Sequence, residues 1–511
     1  MTVEITVLDN GLTVATDRMD TVESLSVGAW IGVGTRHEPA QVNGVAHLLE
    51  HMLFKGTERR SAQQIAEEIE AVGGHLNAYT GREVTAYYAK VLAEDSALAI
   101  DMIADLLQHS VFDQQELARE RTVVLQEIGQ AQDTPDDIVF DYFQETAYPD
   151  QPLGWPVLGR PEVVRQLSRD DLIAYRAGRY GAKNMIFAAA GRLEHARIVE
   201  LAQAAFTDLP PGEAVETPPP SYLGGDFRES RDLEQAHLLL GFEGFGFLHP
   251  DYYAGSVFST LLGGGMSSRL FQEVRERRGL VYSIFSFLSA QGDSGLFGIY
   301  AGTGEAEVAE LMPVVVDELA KVAAADVSEA ELKRAKAQLK ASILMGQERS
   351  SHRAEQLANH LLIYGEVQPV EEIVARIEAV DAAAIRRVAE HLTASRPTLT
   401  GLGPLGRLES YDRLTARLGA SDGAAARERD SGYAVLRRGR GLLRAPDSRD
   451  WRAWVALRTA SRAFLEPWEP TWLLDSLSRG TYRRRLRQAN FDRRQGLGYS
   501  FHIFRAEDAV L

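Results

Sequence analysis

The same succession of hydrophobic and polar patterns occurs twice along the chain. Residues 24–33 and 237–242 alternate between apolar and polar side chains, as half-buried strands do, and a helical pattern with a glycine-containing turn follows each of them. Alternation returns at residues 84–91 and 281–287, and two long amphipathic helical segments come next in both cases. Strands followed by helices, twice over, predict an α+β fold with two homologous α/β sandwich halves, each a mainly antiparallel sheet with helices on one face.

The two halves also match as sequences, which indicates an internal repeat. Residues 111–128 lie over residues 326–343 at an offset of 215, an alignment that pairs the letters ELAR with ELKR. Upstream, residues 45–51 lie over residues 258–264 at an offset of 213. We therefore expect both halves to share one arrangement of strands and helices.

Two stretches rich in proline, glycine or alanine divide the chain. They are residues 209–221 and 409–440, and both have the composition of linkers. The predicted domains are residues 1–208, residues 222–408 and a small final segment, residues 441–511.

Capping residues predict where some helices begin and end. Asp113 with Glu116 three residues later predicts the start of a long helix, and Gly129 predicts its end. Ser61 similarly predicts the start of a helix that stops at Gly73.

The formal net charge of −17 is unevenly spread over the 511 residues. Residues 431–511 hold 16 Arg and no Lys against 8 acidic residues, a balance of +8, so residues 1–430 carry −25. This acidic bulk disfavours nucleic acid as a partner, because phosphate binding needs clustered Lys and Arg. It fits either solubility alone or a cavity that attracts basic peptides.

The composition is that of an ordinary globular protein without cysteine, which excludes disulfides, thiolate zinc sites and cysteine nucleophiles. No run of about 18 uncharged apolar residues occurs, and the first residues predict a strand and a turn rather than a secretory segment. We therefore expect a cytoplasmic protein with no membrane partner.

The strongest chemical signal is the H-x-x-E-H spacing of His47, Glu50 and His51. On a helix, residues four apart share a face, so the two imidazoles can meet a single tetrahedral ion. Glu50 lies at the edge of that face, where it can reach a water on the metal without binding the metal itself. This is the arrangement of the inverzincins.

Two glutamates on a later helix complete the candidate site. A catalytic zinc usually takes three protein ligands, and Glu127 is the candidate third ligand, with Glu120 one heptad earlier on the same face. An i, i+4 histidine pair alone is more often incidental, so these acids are what favour a metal site. In the second half the five positions hold residues without metal-binding side chains: Thr260, Gly263, Gly264, Ala335 and Ser342.

Four long motifs closely resemble the pitrilysin and mitochondrial-processing-peptidase family of zinc peptidases. They lie at residues 45–57, 73–80, 119–128 and 262–283, and the resemblance covers about residues 1–408. It implies two similar halves that close around an unfolded or presequence-like peptide, with one Zn²⁺ per chain. Relatives of about this size resemble units that work as dimers, so we expect a homodimer.

The resemblance also implies a role for each site residue. His47, His51 and Glu127 would bind zinc, Glu50 would be the general base, and Glu120 would support a ligand through a hydrogen bond. The first half would thus be the catalytic half, and the second would be metal-free.

Four further residues would handle the substrate if the resemblance holds. Asn77 and Ala78 match the family's edge strand, which binds the substrate backbone. Arg275 and Tyr282 match the arginine and tyrosine that the metal-free half contributes across the cleft, where they would stabilise an oxyanion. The pattern alone would instead favour a solvated helix face for Arg275 and a buried aromatic for Tyr282.

The basic final segment, residues 441–511, resembles the N-terminal part of an N-acetyltransferase of the ribosomal-protein-alanine type. Its Arg-x-x-Gly-x-Gly pattern begins at Arg493, but a strand-like run follows it where a phosphate loop would open a helix. We expect a truncated, non-catalytic α/β segment, and the alternative is a basic appendage that binds nucleic acid.

These patterns favour a zinc endopeptidase that acts on unfolded or presequence-like peptides. The first alternative is a non-catalytic core or partner subunit of the same fold, against which the intact His47, Glu50, His51 and Glu127 argue. The second is an acetyltransferase, against which the missing cofactor loop argues.

Overall fold

A computed structural model describes residues 3–213, 215, 217–324 and 327–418 and, further along, 436–438, 441–444, 446, 450–462, 477–478, 481–482, 485–486 and 502–505. Its contacts divide the chain into two compact units, Met1–Ser421 and Asp422–Leu511. Both predicted halves therefore belong to the first unit.

The first sheet has six strands and is covered by helices of the same half. The strands are β1 (Val3–Val7), β2 (Thr13–Arg18), β3 (Ser24–Ile31), β4 (His75–Thr80), β5 (Thr85–Leu92) and β6 (Met185–Gly191). Their order is β1-β2-β6-β3-β5-β4, in which only β2 and β6 run parallel. The α-helices are α1 (Val45–Leu53), α2 (Ala62–Ala71), α3 (Ser96–His109), α4 (Gln114–Gln132), α5 (Pro135–Ala147), α6 (Pro161–Val164), α7 (Arg169–Arg179) and α8 (His195–Ala205), with 3₁₀ turns at Thr35–His37, Ala40–Val42, Ala93–Asp95, Pro152–Gly154 and Ala182–Asn184.

The second sheet has five strands. They are β7 (Gly225–Ser230), β8 (Ala236–Glu243), β9 (Val281–Ala290), β10 (Gly295–Thr303) and β11 (Thr398–Gly403), in the order β7-β11-β8-β10-β9 with β7 and β11 parallel. The helices are α9 (Tyr252–Gly263), a π-helical turn (Phe271–Arg277), α10 (Val308–Ala324), α11 (Glu329–Gly346), α12 (Ser350–Tyr364), α13 (Val370–Glu378), α14 (Ala382–Ala394) and α15 (Tyr411–Arg417).

The two sheets have the same topology. The order β7-β11-β8-β10-β9 repeats β2-β6-β3-β5-β4, and the parallel pair comes first in both orders; the first sheet adds β1 outside β2. Each half has its own apolar core, built mainly between its sheet and its own helices. The predicted fold class is confirmed.

The second face of each sheet is covered by one helix from the other half. α12 lays Ala354, Leu357 and Ala358 on a face of the first sheet whose buried residues are mostly alanine, so the helix can approach closely. α5 lays Val139 and Phe143 on the second sheet in the same way. The halves therefore exchange corresponding helices.

Polar contacts fix the exchanged helix α12. The Arg353 guanidinium donates two hydrogen bonds of 2.6 Å to the buried carboxylate of Asp17 on β2. The Ser350 and Ser26 hydroxyls lie 3.0 Å apart. These contacts tie the start of α12 to the first sheet.

The predicted helix starts agree with the structure, but one predicted end does not. The Asp113 side chain accepts hydrogen bonds from the N–H groups of Gln115 and Glu116, and α4 begins there. It continues through Gly129 to Gln132, so the predicted end at Gly129 is wrong. A glycine inside a helix costs only about 1 kcal/mol, which packing of the later residues can offset.

The second unit is described only in part. Its strands β12 (Leu436–Arg438), β13 (Gly441–Arg444) and β14 (His502–Arg505) pair antiparallel, and α16 spans Trp451–Ala460. The pattern beginning at Arg493 lies outside the described residues, so the acetyltransferase-like interpretation of this segment and the domain boundaries stay predictions. Among the described residues, no helix is long and apolar enough to cross a membrane.

Candidate metal centre

The helix α1 carries the H-x-x-E-H residues, and a buried carboxylate holds its first turn. Glu38, which is 3% exposed, accepts hydrogen bonds from the N–H groups of Gly44 and Ala46, both 2.8 Å, and from Asn43 Nδ2. Gly44 has a φ of 97°, the left-handed region that favours glycine. Sequence analysis missed Glu38, because its link to α1 depends on the path of the intervening loop.

His47 and His51 project from one face of α1 towards α4. Their ring centroids are 4.7 Å apart. Glu127 Oε2 on α4 lies 3.7 Å from His47 Nε2 and 3.5 Å from His51 Nε2, and one ligand atom from each of the three residues falls within 4.8 Å of the others. The structure thus brings together the three side chains that sequence spacing selected as ligands.

This donor set fits a zinc ion. Two ligand atoms, each about 2.1 Å from a tetrahedral zinc, lie roughly 3.4 Å apart, close to the spacing between Glu127 and the two imidazoles. Burial, with a smaller contribution from a charge on His51, lowers the pKa of His47 to about 4. His47 is therefore neutral near pH 7 and has a lone pair available for a metal.

Glu120 lies behind His51 on α4. Its Oε2 is 3.0 Å from His51 Nδ1, and its Oε1 accepts an ion-pair contact of 2.8 Å from Lys55 Nζ. A proton on Nδ1 leaves Nε2 of His51 as the free nitrogen on the side of Glu127. His47 Nδ1 is buried and has no hydrogen-bond partner among the described residues.

Glu50 makes a hydrogen bond to the end of β4 and also interacts electrostatically with His51 and Glu127. Its Oε2 accepts a hydrogen bond of 2.5 Å from the Thr80 hydroxyl, at the end of β4. Burial raises the pKa of Glu50; the Thr80 hydrogen bond and a charge on His51 lower it, and Glu127 raises it. Thr80 was not among the predicted site residues, since nothing in its spacing connects it to Glu50.

Asn77 and Ala78 lie on β4, an edge strand of the first sheet. Within this sheet β4 pairs with β5 on one side only, so its other side can pair with an extended peptide. Asn77 is exposed and Ala78 is half-buried. Thr80, three residues beyond Asn77, joins this edge to Glu50.

Arg275 and Tyr282 lie together in the second half. The Arg275 guanidinium carbon is 4.8 Å from the Phe271 ring centroid and 5.4 Å from that of Tyr282. Tyr282 lies on β9, an edge strand, and is 77% exposed. The sequence pattern alone favoured a buried side chain at this position, and that interpretation is wrong. Among the described residues, neither side chain makes a hydrogen bond, ion pair or ring contact with the ligand group.

The chain has two halves with the same strand order in β2–β6 and β7–β11. An H-x-x-E-H helix with a facing glutamate lies in the first of them, and this combination is that of a zinc-protease fold. A family model described as Insulinase (Peptidase family M16) matches residues 13–160, and another described as Peptidase M16 inactive domain matches residues 166–339. The chain belongs to peptidase family M16.

Relatives and solved structures agree with this family. The chain is 40% identical over 401 residues to an uncharacterized zinc protease of Rickettsia felis, covering 78% of this chain and 97% of that protein. It is 38% identical over 429 residues to the probable mitochondrial-processing peptidase subunit beta of Arabidopsis thaliana, covering 81% and 80%. A crystal structure of a protease from Helicobacter pylori matches with a TM-score of 0.74 and 25% identity, covering 79% of this chain and 99% of that one. These matches lend no support to the acetyltransferase-like interpretation of residues 441–511.

Proposed function

We propose that this protein is a zinc-dependent endopeptidase that hydrolyses unfolded or presequence-like peptides and binds one zinc ion per chain. The observation that carries the proposal is that His47, His51 and Glu127 lie together, and that Glu50 interacts electrostatically with His51 and Glu127. Relatives named zinc proteases support the activity, and the name of the Arabidopsis relative supports a presequence-like substrate. The acidic charge of residues 1–430 favours basic peptides.

In the proposed mechanism, Glu50 moves the proton. Zinc, when bound, supplies a Lewis acid that polarises the scissile carbonyl and makes water a better nucleophile. The Glu50 carboxylate takes a proton from the attacking water and passes it to the leaving amine nitrogen. The Thr80 hydroxyl holds one carboxylate oxygen and leaves the other free, and burial makes Glu50 a stronger base than an exposed glutamate.

Substrate binding completes the proposal. The peptide backbone would add to β4 beside Asn77 and Ala78, and Arg275 and Tyr282 would stabilise the oxyanion. The proposal also keeps the expected homodimer, a cytoplasmic location and no nucleic-acid or membrane partner.

Glu50→Gln tests the catalytic role, with Glu58→Gln as a control because Glu58 is an exposed glutamate shortly after α1. We expect E50Q to keep zinc but to lower kcat on a quenched basic peptide by at least about 100-fold, because an amide cannot accept the proton. His51→Ala should lose the metal, since it removes a ligand. Zinc content by atomic absorption and peptide cleavage with and without chelator measure both effects.

Two outcomes would contradict the proposal. Undiminished hydrolysis by E50Q would remove Glu50 from the mechanism. A zinc-loaded wild-type protein that cleaves no peptide would instead favour a non-catalytic partner subunit of the same fold.

A further inference from the structure

A cavity of about 640 Å³ lies between the two halves, away from the metal residues. The turn after β4, the helix α12 and the beginning of α9 contribute to its wall. Its lining includes five aromatic side chains and the carboxylate of Glu355; the aromatic residues are Tyr79, Phe247, Tyr252, Tyr253 and Tyr364.

Glu355 is the lining carboxylate that has no cationic partner among the described residues. Its Oε1 accepts a hydrogen bond of 2.9 Å from the neutral Tyr79 hydroxyl. The other lining carboxylate, Glu83, is already paired with the Arg36 guanidinium and accepts a hydrogen bond from the Gly292 N–H. The cavity therefore has one lining carboxylate without a cationic partner among the described residues, next to the Tyr79 hydroxyl.

The nearby basic side chains do not compensate this charge. Arg82 is paired with Asp141 at 3.1 Å. Arg376, whose guanidinium carbon lies 5.8 Å from the Tyr253 ring centroid, is paired with Glu372 at 3.7 Å. Burial lowers the pKa of both His37 and His360 to about 4, so these imidazoles are neutral near pH 7. His352 also lines the cavity, and within the described part of the chain no ion pair joins it to Glu355.

We propose that this cavity binds the arginine side chain of an extended peptide. A guanidinium is planar, stacks on aromatic rings and can make two hydrogen bonds to one carboxylate, which matches a cavity lined by tyrosines and Glu355. A strongly hydrated lysine ammonium would fit this site less well.

The cavity lies where a peptide on β4 can reach it. Thr80 on β4 bonds to Glu50 on the metal side of the sheet, whereas Tyr79 bonds to Glu355 on the opposite side. An added strand alternates in the same way, so its side chains point in turn towards the metal and towards the cavity. This placement rests on the proposed function, because it takes the peptide to be the substrate.

Glu355→Gln, with paired peptides, tests the proposal. The two peptides of a pair differ at one position, which holds arginine in one and citrulline in the other, and that position varies from pair to pair. Citrulline has nearly the same shape as arginine and no charge. At one position we expect wild type to favour arginine by about tenfold or more in kcat/KM, and E355Q to lose that preference while cleaving the citrulline peptide as before. Glu355→Asp should keep part of the preference, and Glu348→Gln, an exposed glutamate just before α12, should keep all of it.

A binding measurement separates this proposal from the proposed function. Fluorescence anisotropy of the same peptides on E50Q, with and without E355Q, reports the arginine preference even if the wild-type protein cleaves nothing. An arginine preference at one position that disappears with E355Q supports the cavity. Equal discrimination with and without Glu355, or no preference for arginine at any position, would overturn it.

Discussion

Glu120 is a buried carboxylate that contacts two neighbours, His51 and Lys55. Because Oε2 faces His51 Nδ1, it selects the tautomer whose other nitrogen faces Glu127. The lysine ammonium offsets the cost of keeping this carboxylate charged and buried. One side chain thus sets the orientation of a ligand without joining the ligand group.

Glu120→Gln should weaken zinc binding by about 10–100-fold, because an amide holds the imidazole ring of His51 less firmly than a carboxylate does. Competition against a chelator of known affinity measures the change. Glu116→Gln, on the same helix but paired with Arg119, is the control. Equal zinc affinity in E120Q and E116Q would show that His51 needs no such support.

Glu38 makes the stability of the protein depend on pH. Burial outweighs its three hydrogen bonds and raises the pKa to about 7, so the native state disfavours the charged form. Its contribution to the free energy of unfolding is complete below its ordinary pKa near 4.5 and is lost as pH rises through 7. We expect the stability of wild type relative to Glu38→Gln to fall by up to about 3 kcal/mol between pH 5 and pH 8.

Urea unfolding of both proteins across this range measures the effect. A difference between wild type and E38Q that stays constant with pH would show that Glu38 titrates as an ordinary carboxyl group.

At the residue scale, spacing along two helices was enough to select His47, His51 and Glu127. It could not select Glu38, whose place depends on how distant segments pack.

At the scale of elements, α5 and α12 hold the halves together. Phe143 of α5 is 2% exposed, and its ring lies over Gly241 of β8, where a Cβ would come within 2.2 Å of it. It also meets Phe287 edge to face at 6.2 Å. The second sheet thus has a fitted place for a side chain from the first half.

Phe143→Ala should lower the free energy of unfolding by about 3–5 kcal/mol, because it leaves a cavity that neighbouring backbone cannot fill. Leu248→Ala, at a residue that is 62% exposed, is the control and should change little. Denaturant unfolding compares the two. A loss in F143A as small as that in L248A would mean that α5 contributes little to the second sheet.

Local sequence predicted helix starts better than it predicted helix partners. The Ser61 hydroxyl accepts a hydrogen bond from the Gln64 N–H, as its position before an apolar run indicated. The pattern predicted two long amphipathic helices in each half, but it did not select α5 and α12 as the helices that cover the other half's sheet. Periodicity describes one element and not its neighbour.

At the scale of the whole molecule, one topology occurs twice, with the candidate metal ligands in one copy. The repeat explains why the fold class could be predicted: two halves with matching patterns constrain each other more than either does alone. The predicted dimer and the role of the basic final segment were beyond such patterns, since they depend on surfaces rather than on periodicity.

The exchange of α5 and α12 makes neither copy self-sufficient. A polypeptide carrying one copy alone would leave an apolar sheet face bare to water, and such a face invites aggregation. Because each half covers the other's sheet with one helix, loss of either half would destabilise the other. The half without the candidate metal ligands is therefore needed for the fold of the half that carries them.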